Sequence, residues 1–123
     1  MIEMVYKPKG ERVLLDRGIY RDHEYFVISL GTHPCAYIKL NGEPLSVGMG
    51  VPCHGGVTFT DTTLNIGDKQ MIKGNIIGWD YAHYGDYMGY DDEYGIEGGE
   101  IYTTGEIVFE CKRAIDWLIG VTE

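Results

Sequence analysis

Apolar positions recur with two different spacings along this chain, and the change of spacing separates strand-forming stretches from one helix. Glu24-Tyr25-Phe26-Val27-Ile28-Ser29-Leu30 is dense in aromatic and β-branched residues, which fit a pleated, half-buried surface, and it predicts a strand. Gly31-Thr32-His33-Pro34 reads as a turn and Cys35 to Leu40 as a second strand, so the two form an antiparallel hairpin. Asn41-Gly42 and Gly48-Met49-Gly50 bracket a loop ending at Pro52. Gly56 to Thr60 predicts a short third strand, and Asn75 to Tyr81 a fourth whose apolar run implies burial. Val13-Leu14-Leu15 suits either a short strand or a helical turn.

The spacing changes after residue 102. Ile107, Val108, Cys111, Ala114, Ile115, Leu118 and Ile119 fall on one helical stripe. Thr103-Thr104-Gly105-Glu106 precedes them as a capping box, with Thr103 as N-cap and Glu106 reaching back to its amide. The stripe needs an apolar surface, and a sheet face is the one available. The expectation is a single α+β domain over residues 1–123. Its mostly antiparallel, twisted sheet of roughly four to five strands is covered by one long C-terminal helix.

Composition adds three points. Eighteen glycines in 123 residues are about twice the usual share of roughly 7%, which favours turns and a long loop over a bundle. No signal-like start and no run near the roughly 18 apolar residues of a membrane span is present, so a cytoplasmic protein that does not engage membrane is expected. Cys35, Cys53 and Cys111 are odd in number and widely spaced, unlike a disulfide framework or a CxxC metal pattern.

Charge is more informative. The net charge is −9, and Asp80, Asp86, Asp91, Asp92, Glu93, Glu97 and Glu100 contribute −7 of it within a window that has no Lys or Arg. Direct nucleic-acid binding is disfavoured, because phosphate contacts need cations. A basic protein partner, a cation or plain solubility would each suit the charge.

Two motifs carry candidate chemistry. In Pro52-Cys53-His54-Gly55-Gly56-Val57-Thr58-Phe59 an imidazole precedes two glycines, where backbone amides are open to a ligand. The plainer reading is a tight turn whose His caps a carbonyl. In Gly78-Trp79-Asp80-Tyr81-Ala82-His83-Tyr84-Gly85-Asp86 the residues Asp80, His83 and Asp86 stand three apart. Curled together, they would make a site for a divalent metal or an acid/base pair. The plainer reading is an Asp–His hydrogen bond that pins a loop. Asp61, Thr62, Thr63 and Asp68 read as turn chemistry. P-loop, GxGxxG, HExxH and GxSxG patterns do not occur.

These two motifs, with the Thr-x-x-Glu helix start, resemble an uncharacterised protein family of phages and prophages. The likeness spans roughly residues 24 to 119. It departs at Leu45 to Gly50, where the family pattern is Asp-rich. The resemblance implies a phage accessory role.

Residues 82 to 102 predict a long loop in which Tyr84, Tyr87, Tyr90, Tyr94 and Tyr102 alternate with acids. Tyrosines give rigid contact area, and carboxylates between them imitate a phosphate backbone. Two functions follow. In the first, a phage-derived interaction protein inhibits a host defence factor by docking Asp86, Tyr87, Tyr90, Asp91, Asp92, Glu93, Tyr94 and Glu97 onto a basic surface. In the second, a small metal-dependent hydrolase or nucleotide-binding enzyme uses His54, Asp80 and His83 as catalytic groups. Asp80, His83 and Asp86 would then hold a divalent metal. Homodimerisation is left open.

Overall fold

A computed structural model describes residues 13–29, 33–67, 70–81 and 103–122. Five strands form one sheet in the order β1-β2-β3-β5-β4, every neighbouring pair antiparallel. They are β1 (Val13–Tyr20), β2 (His23–Ser29), β3 (Pro34–Lys39), β4 (Phe59–Gly67) and β5 (Gln70–Asp80). A four-residue helix, α1 (Leu45–Gly48), lies between β3 and β4, and the long helix α2 (Thr104–Thr122) follows the sheet. The expected α+β arrangement is present. None of the described helices is long and apolar enough to cross a membrane.

The β1–β2 hairpin closes on Tyr20 and His23 through two residues, Arg21 and Asp22, at φ 49° and 67°. A two-residue hairpin needs left-handed backbone at these positions to match the strand twist. Asp tolerates it better than Arg does. The ring of His23 fastens the turn, since its Nδ1 contacts the Arg21 carbonyl at 2.8 Å. A carbonyl only accepts, so Nδ1 carries the hydrogen.

Strand alternation gives the sheet two apolar faces. Tyr25, Val27, Ala36, Ile38, Ile77 and Trp79 point to one face, where Ile107, Cys111, Ala114, Ile115 and Leu118 of α2 cover them. The helical stripe read from the sequence is therefore the packed one. Each fully buried Ile or Leu there contributes on the order of 2 kcal/mol of transfer free energy. Phe26, Ile28, Cys35, Tyr37, Leu64, Ile66 and Ile76 fill the other face. β1 and β4, at opposite ends of the strand order, approach one another, so the sheet curls around this second cluster.

Of the two alternatives read for Val13-Leu14-Leu15, strand is the one present, as part of β1. Two elements differ from the sequence reading. Asp61, Thr62 and Thr63 lie inside β4 rather than in a turn, with the register shifting between Asp61 and Thr63. A bulge accommodates the polar run on a strand whose outward positions face water. The fourth predicted strand is longer, beginning at Gln70. Asp68 and residues 82–102 lie outside the described residues, as do Gly31 and Thr32 of the turn before β3.

Candidate functional site

The Cys53-His54-Gly55-Gly56 segment is a tight turn, closed by a 3.0 Å hydrogen bond from the Gly56 N–H to the Cys53 carbonyl. Gly55 at φ 72° occupies the third position, where a type II turn requires left-handed backbone. Gly55 is thus explained by the turn itself, and Gly56 leaves it at φ 83°. His54 at its corner is held twice. Its backbone N–H donates to Oε2 of Glu110 at 2.9 Å, and its ring stacks on Tyr81 with centroids 4.8 Å apart and planes 11° from parallel.

Glu110 is the hub. Trp79 and Tyr81, two residues apart and on one face, reach from β5 and its end towards α2. The Trp79 indole N–H lies 3.3 Å from Glu110 Oε1, and the Tyr81 phenol donates to the same oxygen. The indole also lies 3.0 Å from the Tyr81 hydroxyl. One carboxylate thereby accepts from the strand, through Trp79 and Tyr81, and from the turn, through His54. Both rings are almost wholly buried, at 1% exposure each, so these bonds form in a low-dielectric setting where leaving one unmade is costly.

Beyond Glu110 opens a cleft of about 650 Å³. Pro52, Cys53 and His54 form one wall. Glu106, Phe109, Glu110, Arg113 and Trp117 of α2 form the other, at three- and four-residue steps that share a helix face. Glu106 also closes the predicted capping box: it accepts from the Thr103 amide at 2.9 Å, while its own amide donates to Thr103 Oγ1 at 3.1 Å. The Thr103 amide, and then its hydroxyl, hold the Glu106 carboxyl below its ordinary range.

The nucleophile-type groups of the cleft are suppressed. Burial, and then the Glu110 charge, push the Cys53 thiol up to about 12. Burial, and then the bond to Glu110, also raise the Tyr81 phenol above its ordinary value. Both stay protonated at neutral pH and offer neither a thiolate nor a phenolate. Cys111, further in, is likewise raised by burial first and the Glu110 charge second.

Of the sequence candidates the structure describes His54 and Asp80, and it does not bring these two together. Asp80 pairs across the strands with Cys35, which belongs to the cluster on the face away from α2. His54 sits on the α2 side with Tyr81. The period-two alternation of β5 sends Asp80 and Trp79 to opposite faces, so His54 and Asp80 are separated by the sheet. His83 and Asp86 lie outside the described residues, as do Tyr87, Tyr90, Asp91, Asp92, Glu93, Tyr94 and Glu97. No cluster of three or more metal-ligating side chains occurs among the described residues.

Sequence reasoning did not single out Glu110, Trp79 or Arg113. A signal was present for Glu110: it abuts the apolar stripe beside Cys111, where a carboxylate must find donors. The chain matches no protein-family model, no curated protein and no solved structure. The phage-family resemblance therefore rests on the motifs at His54 to Phe59, Gly78 to Asp86 and Thr103 to Glu106 alone.

Proposed function

We propose that this protein is an interaction domain, a phage-type accessory factor of the bacterial cytoplasm that occupies a basic surface on a host protein. The observation that carries the reading is how the acidic stretch is mounted. Residues 82 to 102 contain Asp86, Asp91, Asp92, Glu93, Glu97 and Glu100 and no Lys or Arg. The residue before the stretch, Tyr81, is bonded to Glu110 of α2, and the residue after it, Thr103, caps the same helix. Both flanking residues, Tyr81 and Thr103, are thus fixed to one element, α2.

Carboxylates offered this way suit a groove that normally takes a phosphate backbone, as in a host defence nuclease. The protonated Cys53 and Tyr81, and the separation of His54 from Asp80, give the hydrolase reading no support among the described residues.

The test is capture of a host protein by the tagged domain. Binding is expected to weaken as salt rises, to be competed by duplex DNA, and to disappear when Asp91, Asp92 and Glu93 are all changed to Lys. Capture that survives the triple change rejects the reading. A stoichiometric transition metal that is lost on His83→Ala would restore the enzyme alternative.

A further inference from the structure

The cleft between the 52–54 turn and α2 has a composition that selects its occupant. At its floor Glu110 is fixed against the buried rings of Trp79 and Tyr81. Among the described residues Oε1 accepts two hydrogen bonds, whereas Oε2 accepts one, from His54, and so keeps acceptor capacity in a carboxylate that lines the cleft. One turn away on the same wall, Glu106 uses Oε1 for Thr103. Phe109 is 63% exposed, a large ring left in water, and Trp117 closes the far end near Gly50. Arg113 is exposed on the same helix face and forms no ion pair with either glutamate.

An apolar occupant would cover the Glu110 charge without compensating it, which is costly. An anionic occupant would meet that charge at the floor. An ammonium would satisfy it as a compact, strongly hydrated point, with no flat surface to lay against the rings. A guanidinium is planar, loses its hydration more readily, stacks on aromatic faces and donates to carboxylates from a fixed fork.

We propose that the cleft receives an arginine side chain of the protein partner, its guanidinium reaching Glu110 alongside Phe109 and Trp117. This deepens the interaction reading above and rests on it. It assigns the domain a second contact, built from the 52–54 turn and α2, that recognises one residue rather than a diffuse basic field.

The probe is the capped tripeptide acetyl-Gly-Arg-Gly-amide, titrated into the isotopically labelled protein. The readouts are the His54 amide, which reports directly on Glu110, and the Trp117 indole. Saturable shifts at both are expected, with a Kd on the order of 1 mM for so small a ligand. Glu106→Gln, which keeps the capping box, should weaken binding about two- to fivefold. Phe109→Ala should weaken it by about the same factor. Arg113→Gln should leave it unchanged or slightly tighter, because it removes a like charge.

The inference is overturned if the arginine peptide gives no saturable shift at these two groups. It is equally overturned if acetyl-Gly-Asp-Gly-amide binds instead and Arg113→Gln abolishes that binding. Either failure leaves the broader reading standing, provided that lysines at 91 to 93 still abolish capture of the host protein.

Discussion

The phenol of Tyr81 donates to the Glu110 carboxylate, and this contact ties the end of β5 to the middle of α2. Glu110 also holds the Trp79 indole and the His54 amide, so removing the carboxylate and removing the phenol are different experiments. Tyr81→Phe deletes one donor and leaves Glu110 with two; a loss of about 1 to 2 kcal/mol is expected in urea denaturation. Glu110→Ala removes the acceptor shared by the Tyr81 hydroxyl, the Trp79 indole and the His54 N–H and should cost about 3 kcal/mol. Equal losses for the two variants would mean that the indole and the amide gain nothing from Glu110.

Gly78 stands between Tyr37 of β3 and Phe59 of β4, its register partners on either side. The two rings meet above it edge to face, with centroids 5.1 Å apart. A Cβ at this position would lie 2.5 Å from Cδ1 of Tyr37 and 2.8 Å from the Ala36 carbonyl oxygen. Gly78→Ala should therefore lower stability by about 2 kcal/mol, through displacement of the Tyr37 ring. Gly120 in α2 has nothing within 4 Å of the same atom. There the helix propensity of alanine prevails, and Gly120→Ala should raise stability by about 0.5 to 1 kcal/mol. Thermal melts of the two variants shifting in the same direction would contradict this account.

Local signals were legible where they were dense. The capping box at Thr103 to Glu106 places the start of α2 to the residue, and the stripe from Ile107 to Ile119 its packed face, because both depend only on neighbours three and four apart. The β2–β3 pairing followed from two aromatic and β-branched runs separated by a short turn. The polar first half of β4 was not legible: Asp61, Thr62 and Thr63 form strand only because β5 supplies the ladder opposite them. The site was hidden for a similar reason. Its members, His54, Trp79, Tyr81 and Glu110, come from three separate elements and meet only through the packing of α2 on the sheet.

Cys53 lines the cleft, yet its thiol is pushed up to about 12 by burial and by the nearby Glu110 charge. An ordinary cysteine near about 8.5 is substantially thiolate at pH 8, so Cys53 should alkylate far more slowly than a free thiol. Iodoacetamide at pH 8 should leave it largely unmodified in the native protein and label it fully in guanidinium. Rapid native labelling mapped to Cys53 by peptide mass spectrometry would show that the thiol is neither buried nor held protonated.

The buried pair of His23 and Glu43 sets the acid limb of stability. Nε2 of His23 lies 2.5 Å from Oε2 of Glu43, with both side chains almost fully enclosed, and the Asn41 amide donates to Oε1 at 2.7 Å. Burial alone would push the Glu43 carboxyl up. The His23 bond and the backbone amides of Asn41 and Glu43 outweigh it, so the group is held below its ordinary value. A carboxyl depressed in the folded state contributes stability that is complete above its unfolded value, near about 4.3, and that vanishes as pH falls through the folded value. Glu43→Gln should cost about 3 kcal/mol at pH 7, where it breaks a buried pair, and progressively less as pH falls through the folded value of Glu43. The wild-type curve should therefore fall towards that of the variant below about pH 5. Asp116, held down chiefly by its bond from Arg21, and Glu106, held down by Thr103, contribute acid slope to both proteins alike. Urea denaturation at a series of pH values decides the matter: parallel curves for the two proteins would place the acid sensitivity outside this pair.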